Sequence, residues 1–165
     1  MEDFLGIMQE GNITDKLRFI QDQKIGRGIN YPVEIDDSKY LKDIKKVSGI
    51  SVINQSLYII LNTRVGERFF LPEFGTKLHR YIFDKNTYVV KDKVREEVLR
   101  CVKMWEKRID EVKVTVEDDT SETSRLKVII YYHVKNTNET GSFVMPISNE
   151  IYSFGKEVTN ETVGK

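Results

Sequence analysis

The sequence has few of the residues that form covalent cross-links, metal sites and nucleophilic centres. It contains one cysteine, Cys101, so no disulfide can form within the chain, which fits a reducing compartment. A catalytic thiol needs a positioned histidine base, and the only histidines are His79 and His133. One cysteine and two distant histidines are also too few for a zinc site. We therefore expect Cys101 to be a small buried hydrophobic residue, and we expect no metal and no cofactor.

The sequence also lacks an excess of charge of either sign and lacks a long apolar run. Lys plus Arg and Asp plus Glu both number 26, so the formal net charge is zero. This removes the broad electrostatic attraction that draws proteins to nucleic acids and membrane surfaces. No apolar stretch approaches the roughly 18 residues of a membrane span, and MEDFLGIMQEG does not resemble a signal peptide. We expect neither nucleic acid nor membrane among the partners.

The 165 residues are enough for one domain with a substantial core. Residues 1–24 have scattered apolar positions and are predicted to be an N-terminal arm, with a domain over 25–150 and a C-terminal tail over 151–165. The first half of that domain has helical periodicity. A helix is predicted around residues 50–61, and a long helix is predicted from about Tyr88 to Lys107, with Asn86 or Thr87 as its cap and a stripe of valines on one side.

The second half of the chain changes to a period of two, which is typical of strands. Apolar residues alternate with polar ones over 112–116, and apolar residues recur at every second position over 126–134, where the other face is also rather apolar. Residues 143–147 can add a third strand. Helices followed by antiparallel strands predict an α+β fold, with helices on a sheet of about three or more strands. An exposed terminal strand would be a natural pairing edge for another chain.

The stretch from Leu61 to Asp84 joins the two predicted helices and contains abrupt conformational signals. Gly66 follows the first helix, where a left-handed residue is common, and Gly75 permits another sharp turn. Pro72 favours an extended residue before it, so Arg68–Phe74 is predicted to be extended. Thr76 is the candidate cap of a further helix, Lys77–Phe83.

Two interpretations of this corner stay open on the residues alone. It can be a structural turn between helices, because glycine and proline punctuation is common. Alternatively, it is a recognition corner that presents charged side chains to a partner. Those side chains are Arg64, Glu67, Arg68 and Glu73.

Four segments in order carry a resemblance to a known family. They are IGRGINYPVEID, INQSLYIILNTRVGERFFLPEFGTKLHRYIFD, WEKRID and the hairpin, and together they span Ile25 to Val134. This order resembles the small baseplate wedge subunit of contractile phage tails, a family with relatives in type VI secretion and contractile injection systems. The most specific part is LNTRVGERFFLPEFG, with structural motif residues Gly66, Pro72, Phe74 and Gly75.

The resemblance implies a function and a set of contacts. The family has a Glu-Pro-Arg motif at the end of its long helix, which contacts a bundle formed by the larger wedge subunits. Glu106 and Arg108 match it, and Lys107 replaces the proline. Family members also imitate the inner domain of the sheath protein and offer strands to the first sheath ring. The resemblance therefore implies a structural protein of the virion tail baseplate, sheath-inner-domain-like in fold and assembled in the bacterial cytoplasm, with partner contacts at Glu106, Arg108, Arg64, Arg68 and Glu73.

Two other functions remain as alternatives. The family was long labelled lysozyme-like, and a muramidase needs two suitably spaced carboxyl groups, one of them in an apolar pocket. Glu67, Glu73 and Asp84 can be nominated, but with 26 acidic residues chance pairs are abundant. A small regulatory binding module of the same fold is the other alternative. We expect a structural protein and not an enzyme.

Overall fold

The structure is a computed structural model that describes residues 24–36, 43–81, 84–118, 126–137 and 139–147. The chain divides into two compact units, Met1–Gln55 and Ser56–Lys165. Apart from Lys24, the predicted N-terminal arm and C-terminal tail lie outside the described residues, so their boundaries stay predictions.

The first unit contains two small antiparallel ribbons. Strand β1 (Arg27–Ile29) pairs with β4 (Lys46–Ser48), and β2 (Ile35–Asp36) pairs with β3 (Asp43–Ile44). Lys45 joins them, because its carbonyl accepts from the Asn30 amide (2.9 Å) and its amide donates to the Glu34 carbonyl (2.9 Å).

Helix α1 spans Ile50–Asn62, in agreement with the predicted periodicity. Its buried side chains are the apolar ones at helical spacing, namely Ile53, Leu57, Ile60 and Leu61. At the C-terminal end, the Asn62 side chain donates to the Tyr58 carbonyl (2.8 Å) and the Thr63 hydroxyl donates to the Ile59 carbonyl (2.7 Å). These side chains provide hydrogen bonds to carbonyls at the end of the helix, where intrahelical donors are lacking.

Helix α2 spans Tyr88–Trp105, and of its two candidate caps Thr87 forms the cap, since its hydroxyl accepts from the Val90 amide at 3.4 Å. The predicted valine stripe is buried: Val94, Val98 and Val102 are inaccessible, and Cys101 is buried beside them as expected. The helix ends before the predicted Lys107, because Glu106 adopts an extended backbone with φ −101° and ψ 95°.

The sheet follows α2 and confirms the predicted α+β class. Strands β5 (Ile109–Asp118), β6 (Leu126–Val134) and β7 (Thr140–Ile147) are antiparallel in the order β5-β6-β7. Alternate residues of β6, from Leu126 to Val134, are buried, and α2 packs against β5. Strand β5 carries a bulge between Asp110 and Lys113, where Glu111 has a positive φ of 47°.

Candidate partner-binding sites

The end of α2 holds a buried carboxylate that is paired with an arginine two residues further on. Glu106 is 4% exposed. Its two carboxylate oxygens accept from Arg108 Nε at 2.7 Å and from Arg108 Nη2 at 2.6 Å, and Oε1 also accepts from the Arg108 amide at 3.1 Å. The pair is thus a two-point, charge-assisted contact that also fixes the backbone after the helix.

The surroundings of this pair favour the charged forms of both groups. Burial raises the pKa of Glu106, but hydrogen bonds from Arg108 and the Ser56 side chain outweigh it, and the net pKa is lowered. The bond to Glu106 raises the pKa of Arg108. Burial also raises the pKa of Tyr132, which interacts electrostatically with both Glu106 and Arg108. Glu106 therefore faces inward, and only Arg108, whose side chain is 34% exposed, reaches the surface.

Lys107 stands where the resemblance expects a proline, and the helix nevertheless ends there. The Lys107 ammonium donates to the Lys103 carbonyl (3.0 Å), and its own carbonyl accepts from the Lys135 ammonium (2.9 Å). The Lys135 amide donates to the Arg108 carbonyl at 2.8 Å. The turn between α2 and β5 is fixed by these contacts and by Glu106, so it does not need the missing proline.

The corner between the helices is a closed loop, and the prediction that Arg68–Phe74 is extended is wrong. The Gly66 amide donates to the Pro72 carbonyl at 2.8 Å, and the Phe74 amide donates to the Leu71 carbonyl at 3.0 Å. Gly66 has a φ of +93°, a conformation that L side chains rarely adopt. The chain reverses between Gly66 and Pro72, and the bond from Phe74 to Leu71 adds a second turn around Pro72, so the segment folds back on itself instead of running straight.

Thr76 closes the base of this loop, and its predicted function as a helix cap is also wrong. Its amide donates to the Thr63 carbonyl (2.8 Å), and its buried hydroxyl donates to the Leu61 carbonyl (3.1 Å). The predicted helix Lys77–Phe83 is, within the described residues, a 3-10 turn of three residues, Leu78–Arg80, without a side-chain cap. The Thr76 hydroxyl instead provides a hydrogen-bond donor for the Leu61 carbonyl at the end of α1.

The second half of the loop is packed on α2. The Phe74 ring lies 5.1 Å from the Trp105 ring and forms a small core with Ile60 and Cys101. The Cys101 thiol donates to the Gly75 carbonyl at 3.1 Å. A Cβ atom at Gly75 would be 2.2 Å from the Thr63 carbonyl oxygen, so only glycine fits there. Packing thus explains why phenylalanine and glycine occupy two of the predicted structural motif positions, Phe74 and Gly75.

The predicted charged residues of the corner lie on its surface. Arg64, Glu67, Arg68 and Glu73 are all exposed. Glu67 accepts from the Arg64 amide at 2.9 Å, and the Arg68 guanidinium lies over the Phe74 ring, 3.9 Å from its centroid. The structure therefore brings these side chains together on one loop, while Glu106 and Arg108 form a separate group at the end of α2.

Two exposed residues at the tip of the loop were not predicted as a contact site. Phe69 and Phe70 are 91% and 93% exposed, and their neighbour Leu71 is also exposed. A signal was present, because three apolar residues follow one another inside a loop bounded by Gly66 and Gly75, with neither helical nor strand period.

One edge of the sheet has backbone donors that point away from it. The Val134 amide donates to the Glu139 carbonyl at 2.9 Å, and the β6–β7 register continues without a shift to Leu126 opposite Ile147. Because antiparallel bonding alternates along a strand, the amides of Ser142 and Val144 face away from β6. Pro146, which has no amide hydrogen, has the same parity. Within the described ranges, no strand pairs with this edge.

Nothing in the described part of the chain resembles an enzyme's metal centre. No three His, Cys, Asp or Glu side chains of those residues gather as a metal site requires, and no helix among them is long and apolar enough to cross a membrane. The carboxylates nominated for a muramidase, Glu67, Glu73 and Asp84, are all exposed, so none lies in an apolar pocket.

Comparison with known proteins identifies relatives of this chain. It is 37% identical over 75 residues to baseplate wedge protein gp25 of Enterobacteria phage T4, a match that covers 46% of this chain and 57% of that protein. A crystal structure of a Geobacter sulfurreducens protein, provisionally named a tail lysozyme, has 31% identity and a TM-score of 0.57, and the match covers 62% of this chain and 92% of the other.

A further solved structure shares the fold. A chain in the cryo-EM structure of the anti-feeding prophage baseplate has a TM-score of 0.61 at 21% identity, over 73% of this chain and 94% of the other. The family profile of baseplate wedge protein gp25 matches residues 47–139, which is more than half of the chain and includes α1, the corner, α2, β5 and β6. The chain belongs to the family of baseplate wedge protein gp25.

Proposed function

We propose that this chain is a structural wedge protein of a contractile-tail baseplate that binds the larger wedge subunits and starts the first ring of sheath. The observation that carries the proposal is the family match over residues 47–139. In this proposal the protein is assembled in the cytoplasm of the producing bacterium and remains in the virion tail.

The contact with the larger wedge subunits is proposed to use Arg108. Its guanidinium is held in one orientation by Glu106 while about a third of the side chain stays exposed. A guanidinium fixed in this way loses little side-chain entropy when it donates to a carboxylate or carbonyl of a partner helix. Glu106 then acts as a positioning residue for Arg108. The exposed Arg64, Arg68 and Glu73 of the corner are proposed as further polar contacts.

The start of the sheath is proposed to use the outer edge of β7, with which no described strand pairs. An incoming strand can accept from the outward amides of Ser142 and Val144, which extends the sheet from one protein to the next. Strand β5 suits this less well, since it carries a bulge and is packed against α2. Backbone pairing of this kind needs no ligand and suits a repeating assembly.

The wedge contact is tested by coexpressing the tagged chain with the larger wedge subunits of the same tail locus. We expect the wild-type chain to copurify with them and the Arg108→Ala variant to retain at least tenfold less partner. A wild-type chain that never copurifies would contradict the proposal.

The sheath contact is tested by Val144→Pro, which removes one outward amide without removing a β6–β7 bond. The matched control is Val144→Thr, which keeps the amide. We expect electron microscopy to show baseplates without sheath for the proline variant and sheathed tails for the threonine variant. Normal sheath on the proline variant would exclude pairing at this edge.

The name of the Geobacter sulfurreducens relative makes muramidase activity the second candidate. We expect the purified protein to leave cell walls intact, because the nominated carboxylates are exposed. Cell-wall lysis that Glu73→Gln abolishes would establish the enzyme and overturn this expectation.

A further inference from the structure

The corner loop carries two phenylalanines at its tip that are almost fully exposed in the described part of the chain. Phe69 and Phe70 are 91% and 93% exposed, and their rings pack edge to face on each other with centroids 5.2 Å apart. We call this pair the aromatic tip. Single exposed apolar residues are ordinary, but two adjacent and almost fully exposed aromatic rings leave a large apolar area in water without benefit to the isolated fold.

The loop that carries the aromatic tip is closed behind it. The Gly66 to Pro72 bond of 2.8 Å joins the two sides next to the tip, and a bridge between Arg64 and Thr76 joins them at the base. The base is also attached to α2, where Glu97 accepts from the Lys77 amide at 2.9 Å. The rings are therefore presented on a preorganised support, which reduces the entropy lost when they bind.

Charges of both signs surround the aromatic tip. Arg68 precedes it and is held over the Phe74 ring, Glu67 is held by the Arg64 amide, and Glu73 follows Pro72. The arrangement of apolar centre and mixed polar rim is the one found at interfaces between proteins.

We propose that the aromatic tip inserts into an apolar cleft of a neighbouring protein subunit of the baseplate, whose rim carries charges complementary to Arg68, Glu67 and Glu73. The inference rests on the proposed function, which supplies the neighbouring subunit. It places the two rings at the centre of that contact. The resemblance, in contrast, implied contacts only from charged residues of the corner.

The chemistry of the tip favours a protein over the other occupants. A lipid surface would have to desolvate the carboxylates of Glu67 and Glu73, and attraction to anionic lipids requires a cluster of cations instead of mixed charges. A small molecule would need a concave site, whereas a tip projects. The two rings offer roughly 150–250 Å² each, well below the roughly 800 Å² that each partner buries in a stable complex, so they form the centre of a larger interface.

The test uses the full chain coexpressed with the larger wedge subunits. The variant is Phe69→Ala/Phe70→Ala, and the matched control is Tyr88→Ala/Val89→Ala, which removes exposed apolar side chains (82% and 59% exposed) from the start of α2. We expect the tip variant to retain at least tenfold less partner than the wild type and the control to stay within twofold. A Phe69→Leu/Phe70→Leu pair, which keeps apolar bulk, should recover most of the binding.

Each other outcome overturns something specific. If the wild type and the tip variant retain the partner equally, the aromatic tip is not an anchor while the proposed function stands. A wild type that retains no partner overturns the proposed function and the tip contact with it. If the wild type floats with phosphatidylglycerol vesicles and the tip variant does not, the occupant is a lipid surface and the protein contact is wrong.

Discussion

The end of α2 and the corner loop use charged and apolar residues in opposite ways. At the helix end, Glu106 is buried and both its oxygens are bonded to Arg108. At the corner, Phe69 and Phe70 point into solvent, although phenylalanine side chains are usually buried in a core. Residue type alone would have assigned recognition to the carboxylate and packing to the phenylalanines.

The difference follows from how each segment provides hydrogen-bond partners for its backbone N–H and C=O groups. Glu106 is the residue at which α2 stops, and its carboxylate accepts from the Arg108 amide that comes next. The corner satisfies its backbone within the loop through Gly66, Pro72 and Thr76, so its middle residues are left outside. The end of α2 therefore buries a carboxylate that fixes the backbone, while the corner leaves an apolar pair exposed.

The largest effect is expected from breaking the base of the corner with Gly75→Ala. The added Cβ would lie 2.2 Å from the Thr63 carbonyl oxygen, and the residue has a φ of +102°. We expect a loss of more than about 3 kcal/mol in the free energy of unfolding, measured by urea denaturation. Gly66→Ala is the control, with a positive φ but nothing within 4 Å, and should lose about 1–2 kcal/mol. Equal losses would show that the contact with Thr63 is unimportant.

The next effect tests whether the helix end is a support. Glu106→Gln keeps the shape but leaves Arg108 without a buried anionic partner, and we expect a loss of about 2–4 kcal/mol in the free energy of unfolding. The exposed Glu73→Gln should change stability by less than about 0.5 kcal/mol. Similar values for the two variants would remove the distinction between inward and outward carboxylates.

The same pair gives a pH dependence with a defined sign. Although burial opposes it, bonding to Arg108 and Ser56 lowers the folded-state pKa of Glu106 below its unfolded value of about 4.3. Its contribution is then complete above that unfolded value and is lost as the pH falls through the lower folded-state pKa. Urea denaturation should show a constant stability difference between wild type and Glu106→Gln from about pH 7 to 5, which begins to shrink below about pH 4. A difference that is the same at about pH 3 as at about pH 7 would exclude ionisation as its source.

The smallest effect on stability is expected at the aromatic tip. Because both rings are exposed, Phe69→Ala/Phe70→Ala should change the free energy of unfolding by less than about 0.5 kcal/mol. Thermal unfolding followed by circular dichroism measures it on the same samples that are used for binding. A loss comparable to that of Glu106→Gln would mean that the rings belong to the core in solution.

Periodicity predicted most of the fold because the buried faces are regular. The burial of Val94, Val98 and Val102, and of alternate residues in β6, follows directly from helical and strand spacing. The corner could not be predicted in the same way. Its path depends on a bond between Gly66 and Pro72 and on the Thr76 hydroxyl, whose partner is at the end of α1.

The candidate sites were only partly predictable for the same reason. The resemblance identified Glu106 and Arg108, but their pairing with each other depends on the end of α2 at Glu106, and the bond of Glu106 to Ser56 depends on tertiary structure. Phe69 and Phe70 lie within the segment that carries the resemblance, and only the closed loop shows that they point outward.

The buried thiol of Cys101 makes this chain suitable for site-specific labelling. Burial raises its pKa to about 12, so at neutral pH the sulfur is neither accessible nor ionised. It is also the only cysteine in the sequence. A cysteine introduced at a chosen surface position, such as the one that Phe70→Cys supplies, could therefore carry a fluorophore in the folded protein without removal of the native thiol.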